Sequence, residues 1–188
     1  MRILLLGPQG SGKGTQAKRI AAEYGLPHIA TGDILRAAIS EQTELGRRVA
    51  PILARGQLVP DELTIELIRE RLAGADGFIL DGFPRTLAQA DALDEMLAAI
   101  GKPLDVILEL LLSDELGTRR MLGRAREEGR PDDTSEAIAE RLRLYHELTE
   151  PVVEHYRARG NLVGIHGDRT VNEVFAEIQA TLEQVEGR

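Results

Sequence analysis

The densest chemistry in this 188-residue chain lies in Gly7-Pro8-Gln9-Gly10-Ser11-Gly12-Lys13-Gly14-Thr15. It fits G-x-x-x-x-G-K and directly follows a short apolar run, Ile3–Leu6. Glycines let a backbone wrap a phosphate and aim successive N–H groups at it. The helix that follows adds its N-terminal dipole, and Lys13 supplies a compact cation for the outer phosphates. Gly14 stands where such loops carry Ser or Thr, with Thr15 one place later. A bound Mg²⁺ is therefore expected to be held more through water than by the hydroxyl.

Other phosphate chemistry is spread along the chain. Asp81 ends a second apolar run, Phe78–Leu80, where a carboxylate can order Mg²⁺ or its waters. Arg85 follows four residues later, and Arg36 follows Thr31-Gly32-Asp33. Each guanidinium can grip a phosphate with two parallel N–H groups, though an isolated Arg more often forms a surface ion pair. Arg119, Arg120, Arg124, Arg126, Arg130 and Arg141 cluster within residues 119–141 beside six acids, so that window is neutral. By itself it reads as a solvated, ion-paired hairpin. Arg120 and Arg124 nevertheless share a helix face, and transfer between two anions needs such cations. Thr86 and Gln89 satisfy a capping box without any ligand. The four histidines show no metal-ligand spacing, and Tyr145 and Tyr156 are expected to pack a long helix.

These groups need a scaffold. Short, continuously apolar strands alternate with helical stretches: Ile3–Leu6, His28–Ala30, Phe78–Leu80, Val106–Leu112 and Leu162–Ile165, separated by helices. That rhythm predicts an α/β fold with a parallel sheet covered on both faces. Asp61 is expected to cap a helix to about Leu72. Asp133 with Glu136 is expected to cap one long helix to about Gly160, after a polar loop at Glu127–Asp133. Thr170 and Glu173 form a capping box for the last helix. Gly46 and Pro51 interrupt residues 45–54 in a way the pattern does not resolve. Two stretches break the alternation, 31–60 and 124–136, and both read as insertions at the sheet edge; in open α/β sheets ligands bind at the carboxyl ends of the strands.

Composition removes several alternatives. The net charge is −8, and six aromatics are too few for base-stacking platforms, so nucleic-acid binding is not expected. With no Cys, neither a disulfide framework nor a Cys-ligated zinc site is available. No apolar run reaches the length of a signal h-region or a membrane span, and a soluble, cytoplasmic, monomeric protein without membrane partners is expected. Only three lysines (Lys13, Lys18 and Lys102) accompany twenty arginines, a ratio in keeping with codon bias.

Taken in order, Gly7–Gln16, Thr31–Arg36, Asp81–Thr86, Gly123-Arg124, Arg130–Asp133 and Arg141-Leu142 resemble the adenylate kinase family of nucleoside monophosphate kinases over essentially the whole chain. The resemblance implies a P-loop kinase three-layer fold on a five-stranded parallel sheet. A single domain over 1–188 would comprise a core (1–29, 60–120, 138–188), a monophosphate-binding insertion at 30–59 and a lid at 121–137. It implies Mg²⁺-dependent phosphoryl transfer from ATP to AMP, giving two ADP. Lys13, Arg85, Arg124, Arg130 and Arg141 would surround the phosphates, with Asp81 ordering hydrated Mg²⁺. Gly10, Ser11, Gly12, Lys13, Gly14, Thr15, Arg120, Arg124 and Arg169 would hold ATP. Thr31, Arg36, Gln57, Val59, Gly82, Arg85, Gln89, Arg130 and Arg141 would hold AMP. A UMP/CMP kinase of the same fold is the competing reading, and Thr31 favours AMP, since pyrimidine relatives usually carry a smaller residue there. A nucleotide-binding module without catalysis is a third. The lid is short, leaving no room for the small sheet or the zinc of long-lid relatives, and Pro131 would stiffen its hinge.

Overall fold

The computed structural model describes residues 1–128 and 132–187. Its centre is a five-stranded, all-parallel sheet of order β2-β3-β1-β4-β5. The strands are β1 (Arg2–Leu6), β2 (His28–Ala30), β3 (Phe78–Asp81), β4 (Val106–Leu111) and β5 (Leu162–His166). β1 lies between β3 and β4, with Leu5 beside Asp81 and Leu6 beside Glu109. β2 and β3 lie on one side of β1 and β4 and β5 on the other, so the chain reverses its direction across the sheet at β1 and a crevice opens at its carboxyl end, where the phosphate loop begins.

Strand alternation divides the core. Leu4, Leu6 and Leu80 face one side and pack under α4 (Asp61–Leu72), α5 (Leu87–Ala99) and α8 (Glu150–Arg157). Ile3, Leu5 and Ile79 face the other, under α1 (Lys13–Tyr24) and α9 (Val171–Glu186). A side chain such as Leu4 or Leu5, almost fully removed from water, contributes about 1.5–3 kcal/mol. Both sheet faces are thus spent on packing, and polar chemistry is confined to the strand ends.

The stretch without a strand forms α2 (Thr31–Ser40) and α3 (Glu44–Ala54). Leu35, Val49 and Val59 make a small core of their own, closed against α4 by Leu63 and Leu67. Gly46 and Pro51 both lie within α3. The Thr43 hydroxyl caps that helix by accepting from the Gly46 N–H at 3.0 Å.

Several boundaries differ from the sequence reading. α6 (Asp114–Glu128) takes Glu127 and Glu128 into helix instead of loop. α7 (Ser135–Leu144) is capped by Thr134, whose hydroxyl accepts from Ala137, not by Asp133. Asp133 is drawn inward by arginines. Pro60 occupies the cap position of α4, and Asp61 instead accepts from the Thr86 hydroxyl at 3.0 Å and from Gln89 Nε2 at 2.8 Å. The long helix is broken into α7, a π turn at Tyr145–Thr149, and α8. The capping box at Thr170 and Glu173 forms with both of its bonds.

Candidate active site

The phosphate loop leaves β1 and enters α1 through Gly12, in the left-handed conformation at φ 93°. No side chain caps α1, and its first turn holds no acid, so its leading N–H groups face the cleft. Gly10 is also left-handed, and a Cβ there would meet the Gly117 carbonyl of α6 at 2.5 Å. The loop can therefore lie this close to the helix carrying Arg120 and Arg124 only with glycine at position 10. Lys13 folds back over the loop, donating to the carbonyls of Gly7 (2.7 Å) and Pro8 (2.8 Å). Burial lowers its ammonium pKa to about 8, with Asp81 opposing the shift and Arg85 and Arg124 adding to it.

Asp81 caps the neighbouring strand. A Cβ built on Gly14 would lie 3.6 Å from its Oδ2, so the position of the missing Ser or Thr faces this carboxylate directly. His28, for which the sequence suggested no role, sets Nε2 3.5 Å from the same oxygen, and that nitrogen is buried without a hydrogen-bond partner. A mostly covered carboxylate at the mouth of a phosphate loop suits Mg²⁺, which keeps several waters and takes few protein oxygens.

The arginines converge from three directions. Arg85 donates through Nε to the Gly82 carbonyl at 2.8 Å. Its pKa is lowered chiefly by burial, with Asp81 opposing the shift and Arg141 and Arg36 adding to it. From α6, Arg124 binds Asp133 at 2.7 Å. From α7, Arg141 binds Asp132 at 2.7 Å and also pairs with Asp133. Arg120 reaches the Gly167 carbonyl at 2.7 Å, joining the loop after β5 to the site. Arg36 pairs with Asp33 at 2.6 Å, and Arg169 with Glu177 at 3.3 Å. The Thr31 hydroxyl donates to the Asp81 carbonyl at 3.2 Å. Gln89 makes only half of the expected capping box: its N–H goes to Thr86, but its side-chain oxygen accepts from the Arg85 N–H at 2.7 Å.

One cleft of about 800 Å³ gathers these groups. It is lined by every residue named above for ATP, AMP or metal except Arg130, and includes Gln57, Val59 and Gly82. Arg130 and Pro131 lie outside the described residues. Tyr145, Thr149 and Asp132 also line it, and Lys18 stands exposed at its rim; none of the four was expected in a site from its sequence position. Tyr145 and Thr149 carried a faint signal in Pro151, which cannot continue a regular helix.

A glycine-rich loop at the switch point of a parallel sheet, faced by a cluster of arginines, defines a P-loop phosphotransferase. Residues 5–161 match the family model described as adenylate kinase. Relatives named adenylate kinase share 47% identity over 186 residues in Stenotrophomonas maltophilia strain R551-3 and 49% over 189 residues in Cyanothece sp. strain PCC 7425. The alignments cover 97% and 99% of this chain and 100% and 97% of those relatives. The chain belongs to the adenylate kinase family.

Proposed function

We propose that the protein transfers the terminal phosphoryl group of ATP to AMP, giving two ADP. The observation that carries this reading is the convergence of Lys13, Arg85, Arg124 and Arg141 on one cleft with room on both sides of the loop. An oxygen of the AMP phosphate attacks the γ-phosphorus, and the bond from that phosphorus to the β,γ-bridging oxygen breaks. That oxygen stays with the ADP that leaves. At neutral pH the attacking phosphate is already largely ionised, so no general base is needed. Catalysis is then positioning and charge neutralisation.

In this reading the loop N–H groups and Lys13 hold the ATP phosphates, and Arg120 packs beside the ATP base near Arg169. Arg36, Arg85 and Gln89 orient AMP beside Gln57, Val59 and Gly82. Arg124, Arg130 and Arg141 neutralise the group in transit. Asp81 would hold Mg²⁺ through its waters, and the metal would supply charge compensation on the phosphates. Residues 30–59 would serve as the AMP-binding insertion and 121–137 as a short lid that excludes water. Because the Thr31 hydroxyl donates to Asp81, it presents lone pairs to a neighbouring base, which suits the amino group of adenine. Among the described residues no helix is long and apolar enough to cross a membrane.

Turnover of AMP, UMP, CMP and GMP at fixed MgATP tests the assignment. AMP is expected to exceed the others by about tenfold or more in kcat/KM, a difference of roughly 1.4 kcal/mol. Preference for UMP or CMP would overturn it. Lys13→Ala is expected to fold normally and lose about 10³-fold in turnover, as does loss of Arg85. A folded Lys13→Ala variant with near-parental turnover would remove the phosphate loop from the mechanism.

A further inference from the structure

The helical segment that follows the lid contains one turn of unusual width. The Glu150 N–H reaches back five residues to the Tyr145 carbonyl, closing a π turn over Tyr145–Thr149. Pro151 accounts for it: proline brings no N–H, and its ring crowds the carbonyl four residues earlier. Widening the preceding turn admits the proline without ending the helix, at the expense of one extra residue and about 100° of rotation. π turns of this kind are frequent at functional sites.

The side chain at the end of that turn is Thr149, buried in the cleft wall. A helical threonine ordinarily returns its hydroxyl proton to a carbonyl four residues back. Thr149 instead donates to the Arg85 carbonyl at 2.9 Å, 64 positions away in sequence. On its other side the Arg85 N–H is held by Gln89 Oε1 at 2.7 Å. Both polar groups of the Arg85 backbone are thereby tied, one to α5 and one to the π turn, while its Nε is fixed on Gly82. A guanidinium on a short loop has many poses, and this clamp removes most of that freedom before a phosphate arrives.

We propose that Thr149 is a positioning residue for Arg85, and that the π turn exists to bring its hydroxyl there. The inference rests on the assignment of Arg85 to the AMP phosphate. Three variants separate the two: Thr149→Val, which keeps the shape and loses the hydroxyl; Thr149→Ser, which restores it; and Arg85→Lys. AMP binding is measured by calorimetry without ATP, alongside kcat, KM for each nucleotide, and Tm. Thr149→Val is expected to weaken AMP about five- to tenfold, the effect of one lost neutral hydrogen bond, with ATP affinity within about twofold of the parent. Thr149→Ser should return AMP binding to within about twofold. In an Arg85→Lys background the valine should add less than about twofold, because the guanidinium that the hydrogen bond positions is already gone. Thr149→Ala serves the same purpose should the valine variant not fold. Parental AMP binding in Thr149→Val overturns the proposal, as does an equal loss for both nucleotides or an undiminished effect on top of Arg85→Lys. Parental AMP binding in Arg85→Lys itself would instead overturn the Arg85 assignment, and this inference with it.

Discussion

The Asp133 carboxylate is held between two arginines, Arg124 and Arg141. Three places before Glu136 it has the sequence signature of a helix cap. In the fold its side chain has no exposed surface and accepts from both Arg124 and Arg141. These two guanidiniums come from α6 and α7, so one buried carboxylate is shared between two arginines that line the cleft. Removing one partner of a buried ion pair leaves the others uncompensated, at a cost of about 3–5 kcal/mol. Asp133→Asn is therefore expected to lower unfolding stability by roughly 3 kcal/mol, read from urea titration. An unchanged urea midpoint would mean that water already compensates these arginines. Lys13, by contrast, was legible at once. Its neighbours in sequence are its neighbours in space, and a compact ammonium suits a tight glycine loop better than a broad guanidinium.

Among the elements, the central strands were readable because they are buried on both faces, which makes β1 and most of β3 short apolar runs; Glu109 in β4 and the exposed Val163 and Gly164 of β5 depart from that pattern. The π turn was not readable, since one additional residue in a turn leaves the apolar pattern on either side almost unchanged. The turn also carries a titratable group. His146 lies in this turn, with Nε2 2.8 Å from Asp114 at the start of α6 and Nδ1 3.2 Å from Glu150. The hydrogen bond its ring donates to Asp114 raises its pKa above the ordinary 6.5, with Glu150 adding to the effect. The folded protein thus holds this proton more tightly than the unfolded chain. The stabilisation is fully present below about pH 6.5 and is lost as pH rises through the raised value. Exposed pairs of this kind are weak, so His146→Gln should lower Tm by about 1–3 °C near pH 6 and by nothing measurable near pH 9. A Tm difference that stays constant across this range would place the effect of His146 in packing rather than in charge.

For the whole molecule, the net charge of −8 and the cleft point in opposite directions. Cations from the loop, α2, α6 and α7 and the strand-end loop at Arg85 line one concavity. Acids elsewhere outnumber them, and neither composition nor the neutral window at 119–141 discloses where the positive potential gathers. A low-dielectric crevice focuses such a field, and the outer charges are screened at distances beyond about 10 Å in 0.1 M salt. An anionic nucleotide approaching the mouth should therefore be drawn in by the local cations despite the overall sign. Between about 20 and about 500 mM KCl, kcat/KM for AMP is expected to fall several-fold. The slope should flatten in Arg36→Gln, which removes a cation whose side chain is one-third exposed at the cleft. If the surplus of acids governed the encounter, added salt would screen repulsion and kcat/KM would rise instead. The sign of that one slope decides whether the nucleotide responds to the charge of the molecule or to the charge of its cleft.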